Sequence, residues 1–223
     1  MNKSMLFIFI IVSSFISCRK VPDQFYKYRT DFFPLEVGNE WIYRSDKFKL
    51  TIHVKDLVEI ENFWFAVVEE SLQSDNKGLN VDQYYYYYGQ GEIIYKLIPK
   101  DQSLDIPKVK QGLNALAGTA WPWIHFGSDS GYYWVTYSRS FYNYKYIDQY
   151  KITLVSQSDT IFINDKKYYN CYKYYFDDLS ESDTEFYEWY VKGIGLIKRS
   201  PSGVDDASSL ILVDYKIHKI NNP

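Results

Sequence analysis

Five consecutive tyrosines, Tyr84–Tyr88, sit in the stretch QYYYYYGQGEIIYKL, Gln83–Leu97. Aromatic side chains lose rotamer freedom in a helix but suit a pleated, half-buried surface. The run stops at Gly89-Gln90-Gly91, where glycine permits positive φ, and a second aromatic and β-branched run follows. Two such runs around a short glycine loop predict a β-hairpin. A three-residue loop sets Tyr87 opposite Ile93 and Tyr85 opposite Tyr95. Strand side chains alternate between faces, so the pentad splits. Tyr85 and Tyr87 join Ile93, Tyr95 and Leu97 on a core or cavity face. Tyr84, Tyr86 and Tyr88 join Glu92, Ile94 and Lys96 on a wetter one.

The same grammar runs through the chain. Aromatic residues make up 20 % of it, far more than one strand needs, and they recur in short runs between turn signals. Strands are predicted near 40–44, 48–60, 63–71, 81–88, 92–98, 132–137, 142–156, 160–163, 167–176, 185–191, 196–198 and 210–217. In KLTIHVKDLVEI, Leu50, Ile52 and Val54 face one way and Lys49, Thr51, His53 and Lys55 the other, as in a strand wet on one side. Asn164-Asp165 predicts a two-residue hairpin turn, and Gly193-Ile194-Gly195 separates two further strands. Only residues 100–118 break the pattern; QGLNALAG allows a short helix around 110–117 or a loop. The expected fold is all-β: a single, strongly curved antiparallel sheet or half-barrel with meander connections. Acidic 177–185, DDLSESDTE, reads as a solvated hairpin tip.

The N-terminus has a different grammar. Lys3 precedes an apolar run from Met5 to Val12, too short for a bilayer span of about 20 residues but laid out like a secretory signal. Phe15-Ile16-Ser17-Cys18 closes it. This resembles the lipobox of bacterial lipoproteins, with Phe15 at the usual Leu position, and implies cleavage before Cys18 and acylation of that cysteine. The plainer alternative is a signal peptide with an incidental cysteine. The expected organisation is a signal peptide over 1–17, a lipidated tether over 18–31 and one domain over 32–223. Arg19 rather than Asp after the cysteine implies, by similarity to Gram-negative sorting, the outer membrane, on its periplasmic or its outer side. The chain carries a net charge of −3 and no basic run, which argues against a nucleic-acid partner. With Cys18 acylated, Cys171 has no disulfide partner; among the aromatics of KKYYNCYKYYF it reads as a small buried hydrophobe.

Three further motifs carry a family resemblance. FFPLEVGNEWIY, Phe32–Tyr43, fits F-P-L-x-x-G-x-x-W-x-Y through Phe33, Pro34, Leu35, Gly38, Trp41 and Tyr43. EWYVKGIGLIK, Glu188–Lys198, fits an aromatic strand followed by G-[IV]-G-L-[IV]-K, and Gly118–Trp121 supplies a central G-x-x-W. Together they resemble uncharacterised envelope lipoproteins of Gram-negative, especially Bacteroidetes-like, bacteria. The resemblance says little about activity. By fold analogy it implies a half-barrel of the lipoprotein-carrier (Lol-like) type around an apolar cavity.

Candidate chemistry is sparse. Asp129-Ser130-Gly131 resembles the Asp-Ser-Gly of serine-protease nucleophiles, but Tyr132 stands where the second glycine belongs. A polar turn explains it as well. His53, His125 and His218 show no metal-ligand spacing, and no metal or cofactor is expected. In WPWIHF, Pro122 cannot donate to a ladder and so puts Trp121 and Trp123 in a loop or on an edge strand. There they either stack on a ligand or plug the barrel end. The sequence thus predicts a non-catalytic, lipid-anchored envelope protein. Its concave face would bind an apolar or amphiphilic ligand or a partner protein, with Tyr85, Tyr87, Trp121 and Trp123 as ligand contacts. The alternative is a structural or assembly component without a small-molecule pocket; a hydrolase built on Ser130 is the third reading. For the anchor, Cys18→Ala should abolish incorporation of a labelled fatty-acid analogue that the unaltered chain incorporates.

Overall fold

Asn164 and Asp165 both adopt positive φ (47° and 62°), the pair of angles a type I′ turn needs, and they close a long hairpin where the sequence predicts one. Such turns, and the alternation between them, organise the chain in a computed structural model that describes residues 31–60, 63–74, 80–97, 121–139, 147–180, 184–202 and 209–218. The expected helix around 110–117, the expected signal peptide and the expected tether up to residue 30 lie outside those residues.

The described residues form twelve strands. They are β1 (Glu40–Arg44), β2 (Phe48–Ile60), β3 (Phe63–Ser74), β4 (Asn80–Gln90), β5 (Ile93–Leu97), β6 (Trp121–His125), β7 (Tyr133–Arg139), β8 (Ile147–Ile163), β9 (Lys166–Asp178), β10 (Phe186–Val191), β11 (Gly195–Pro201) and β12 (Leu210–Lys216). All belong to one antiparallel sheet in the order β6-β5-β4-β3-β2-β1-β12-β11-β10-β9-β8-β7. Two meanders therefore meet at the β1–β12 pair in the middle of the sheet. The outer strands, β6 and β7, share no ladder, yet they touch. Trp134 Nε1 donates to Pro122 O at 3.1 Å, and the His125 and Trp134 rings lie 6.2 Å apart. Opposite edges of a twelve-stranded sheet touch only if the sheet curls round on itself. The strong curvature is as expected, and the sheet stops short of a closed barrel.

The concave side holds the main core. Trp123 packs against Tyr150 and Phe176, Phe126 against Tyr174 and Tyr190, and Phe33 stacks on Trp41 at 5.0 Å. A second cluster of Val58, Phe65, Val67, Tyr86 and Leu97 lies on the other side of β2–β5.

Several expectations change. The β4–β5 turn is centred on Gly91-Glu92 rather than Gly89–Gly91, so Tyr86 opposes Leu97 and Tyr87 opposes Lys96. That slip is odd in residues and exchanges every β5 side chain between faces. Ile94 and Lys96 join Tyr85 and Tyr87 inside, and Leu97 leaves them. Tyr86, expected on the wetter face, is buried in the second cluster. The two strands expected over 142–156 and 160–163 are one strand, β8, bent by register shifts at Leu154/Ser156, Ser156/Asp159 and Asp159/Ile161. Trp121–His125 is an edge strand, one of the two places its proline allows. Asp178 is buried rather than solvated and accepts from Ser180 N at 2.9 Å.

The meander seam is held by the motifs at the two ends of the domain. Trp41 Nε1 donates to Ile194 O at 2.6 Å and Tyr43 OH to Leu196 O at 2.9 Å. Between those carbonyls Gly195 has φ +96°, and a Cβ there would stand 2.6 Å from the Phe33 ring. Gly193 has φ +78° and open space around it. Buried Asn39 adds three bonds: its Nδ2 donates to Pro34 O and Glu36 Oε2, and its Oδ1 accepts from His218 N. Gly195→Ala should therefore cost about 2–4 kcal/mol, from backbone strain plus displacement of Phe33, and Gly193→Ala about 1–2 kcal/mol from strain alone. Urea denaturation of the two variants checks this; equal losses would remove the Phe33 contact from the account.

Candidate functional site

Of the four aromatic residues expected to contact a ligand, the structure brings three together. Tyr85 and Tyr87 are next-but-one neighbours on β4, and Trp123 lies on β6, with β5 between them. All three are buried. The side chain of Trp121 lies outside the described residues.

What sits among these rings is Lys96, from β5. Its Nζ lies 3.7 Å from the Tyr85 ring centroid, 4.4 Å from that of Trp123 and 5.6 Å from that of Tyr87. An ammonium over aromatic faces at these distances is attracted by their quadrupoles, most strongly where water is excluded. Lys96 is only 2 % exposed. The shifted β4–β5 register puts it there, since in the expected register Lys96 belongs to the outer face.

Beside this cluster lies a cavity of about 30 Å³, lined in part by Phe33, Tyr87, Lys96, Trp123, Tyr190 and Arg199. That volume has room for a water molecule or two. Drug-sized and lipid-like ligands need several hundred Å³. The concave side of the sheet is thus occupied by the protein's own rings around this point.

A buried ion pair borders the same cavity. Glu188 is fully buried on β10; Arg199 on β11 donates to its Oε1 from Nη2 at 2.5 Å and from Nε at 2.7 Å. Tyr190 OH donates to the other oxygen at 2.6 Å. Burial disfavours the guanidinium charge, but Glu188 and then Glu70 more than offset this and hold the Arg199 pKa above its ordinary value. Burial pushes the Tyr87 and Tyr190 hydroxyls well above the usual tyrosine range, with Glu70 and Glu188 respectively adding to the shift. Both are therefore neutral donors at any physiological pH. Tyr87 OH points to Glu70 Oε1 at 3.4 Å, a long contact.

The hydrolase residues do not assemble as the sequence suggested. Ser130 is exposed in its turn, and the hydroxyl that meets His125 is that of Ser128, 2.5 Å from Nδ1. Among the described residues no carboxylate hydrogen-bonds the His125 ring. Cys171 is fully buried; burial pushes its thiol up to about 11, which leaves little thiolate to react. No group of three or more His, Cys, Asp or Glu among the described residues is placed to hold a metal ion.

Sequence reasoning passed over Lys96, Glu188 and Arg199. Glu188 carried a usable signal: it falls at period two between Phe186 and Tyr190, a charge on an aromatic face. Arg199 carried none, because a register shift in β10–β11 between Trp189 and Tyr190 sets its facing.

No protein-family model matches the chain, and no curated protein matches it. Two solved structures superpose on 83 % of it. One is a proposed exported protein with a YmcC-like fold from Bacteroides fragilis (13 % identity, TM-score 0.49, 98 % of that chain covered). The other is a proposed lipoprotein from Parabacteroides distasonis (12 % identity, TM-score 0.48, 98 % of that chain covered).

Removing one member of a buried ion pair strands the other charge. Arg199→Met should lower stability by about 3–5 kcal/mol, whereas Glu188→Leu/Arg199→Met together should recover most of that loss. Denaturant titration of the single and double variants reads this directly; a double variant as unstable as the single one would contradict it.

Proposed function

We propose that this chain is a non-catalytic lipoprotein of the bacterial cell envelope. It is anchored in the outer membrane through lipid on Cys18 and works through its outer surfaces as a structural or assembly component. The observation that carries this reading is the occupied interior. Tyr85, Tyr87 and Trp123 already face Lys96, and the cavity beside them, about 30 Å³, is the size of a water molecule or two rather than of an acyl chain. An interior site for an apolar ligand would have to displace a buried ammonium from three aromatic faces.

The anchor rests on the lipobox-like segment ending at Cys18 and on where the chain enters the domain. Gly193 N donates to Asp31 O at 2.8 Å, so the chain enters the domain beside the β10–β11 turn, at one end of the sheet, and a tether from Cys18 would join it there. A non-catalytic role fits the separation of Ser130 from the Ser128–His125 contact.

Native mass spectrometry of the purified, detergent-extracted protein tests the proposal. The expected spectrum is a single species at the mass of the acylated chain. A further lipid or amphiphile retained stoichiometrically after the detergent is stripped would restore the interior ligand site and overturn the surface reading.

A further inference from the structure

Strands β8 and β9 pair far beyond their neighbours. β7 covers β8 only from Ile147 to Thr153, and β10 covers β9 only from Tyr172 to Phe176. The remainder, roughly 156–171, is a two-stranded arm. Three register shifts in β8 and a positive φ of 53° at Asn170 bend it. It leans toward β10–β12, where Trp189 Nε1 donates to Asp159 Oδ2 at 3.2 Å and Lys166 Nζ to Tyr215 OH at 3.3 Å.

The arm is two-faced. Ile163, Tyr168 and Cys171 are buried against the main core, with Ile161 packed beside them. Phe162 and Tyr169 point the other way and are 71 % and 58 % exposed. Lys167, paired with Phe162 across the hairpin, lies over both rings, at 5.3 and 4.7 Å. Single exposed apolar residues are ordinary on protein surfaces. A phenylalanine this exposed, set beside an exposed tyrosine with one lysine over both rings, is a different arrangement.

The arm also stands in a basic, aromatic neighbourhood. Lys166 lies over Tyr168 and Tyr215, Lys173 over Tyr187 and Trp189, Lys198 over Trp189, and Lys192 over Phe32. With Lys167 these make five lysines around β9–β11 in a chain whose net charge is −3. Among the nearby acids, Asp159 is bonded to Trp189, Asp31 pairs with Lys192 at 3.6 Å and Asp165 sits in the arm's own turn; Asp214 accepts from Tyr215 N, and Asp177 and Glu185 lie near Tyr175. The tether from Cys18 enters at Gly193, at the same end of the sheet as the arm's tip.

We propose that the β8–β9 arm is a membrane-contact surface: Phe162 and Tyr169 enter the headgroup region of a bilayer, and the surrounding lysines take up anionic phospholipid headgroups. Aromatic rings with lysines beside them suit the bilayer interface, where rings bury partly and ammonium groups meet phosphate. The inference rests on the Cys18 anchor for its setting, since a tether of some 13 residues keeps the arm within about 45 Å of the bilayer and raises its effective concentration there. The arm then orients a domain that the lipid alone would leave free to tumble.

The test uses the chain from Arg19 onward, made without lipid; it retains all twelve described strands. Cosedimentation is measured with phosphatidylethanolamine vesicles containing 30 % phosphatidylglycerol and with pure phosphatidylcholine vesicles. Binding to the anionic vesicles, weakened by high salt, is expected. Phe162→Ser/Tyr169→Ser and Lys166→Gln/Lys167→Gln should each lower the affinity about ten-fold or more, with thermal melting unchanged for the first pair. No binding to anionic vesicles overturns the proposal, as does binding that both double variants retain, or an arm that captures an envelope protein while ignoring vesicles. Fatty-acid labelling at Cys18 is scored separately. Vesicle binding without labelling sinks the anchor and leaves the arm; labelling without vesicle binding sinks the arm alone.

Discussion

The fold depends on the seam where its two ends meet. β1 and β12 come from opposite ends of the domain and pair in the middle of a twelve-stranded sheet. A ladder between segments so far apart in sequence carries a large loop-closure cost and needs more than backbone bonds to select it. The selection comes from side chains that recognise specific carbonyls: Trp41 Nε1 bonds Ile194 O and Tyr43 OH bonds Leu196 O. Between those carbonyls the Phe33 ring rests where any residue but glycine at 195 would put a Cβ. The opening and closing motifs are thus two halves of one lock.

The seam also shapes the interior. With β1 and β12 central, the two meanders spread outward and curl until β6 meets β7, bringing Trp123, Phe126 and Trp134 against rings from β8, β9 and β10. Among the described residues these rings make up much of the main core. Into it are set one buried ammonium and one buried ion pair. Charges in such a place are costly unless their surroundings are fully arranged for them, and here Lys96 meets three aromatic faces while Glu188 receives Arg199 and Tyr190. Edge management follows a similar economy. Pro122 lacks an N–H, and its carbonyl is taken by the Trp134 indole, so the β6 edge is blunted at that point without a ladder to β7.

On the outside the chain's aromatic content is disposed quite differently. Inside, rings stack on rings. Around β9–β11 they lie under lysines, and on the β8–β9 arm Phe162 and Tyr169 are left to solvent. The acidic chain thereby keeps a basic, aromatic face close to Asp31, where the described chain enters the domain.

Much of this was legible in the residues themselves. Alternation and turn chemistry place nearly all the strands, because period two and positive φ are local properties that a short stretch carries complete. β1 and β2 fall at their expected bounds, Asn164-Asp165 turns as expected, and Pro122 confines its segment to an edge. The sequence also determined that Tyr85 and Tyr87 share the inner face. Register was another matter. Gly89-Gln90-Gly91 allows more than one hairpin loop, and the choice lies with packing across β3–β6, which no local pattern contains. An odd slip there carried Lys96 from solvent to the centre of the aromatic cluster, and a register shift after Trp189 turned Arg199 toward Glu188. The sequence by itself determined most of the strands and several of their turns, because both are written in short local stretches. Only the tertiary structure decided which charges the interior would hold, because a strand's facing depends on its neighbours' register as well as on its own residues.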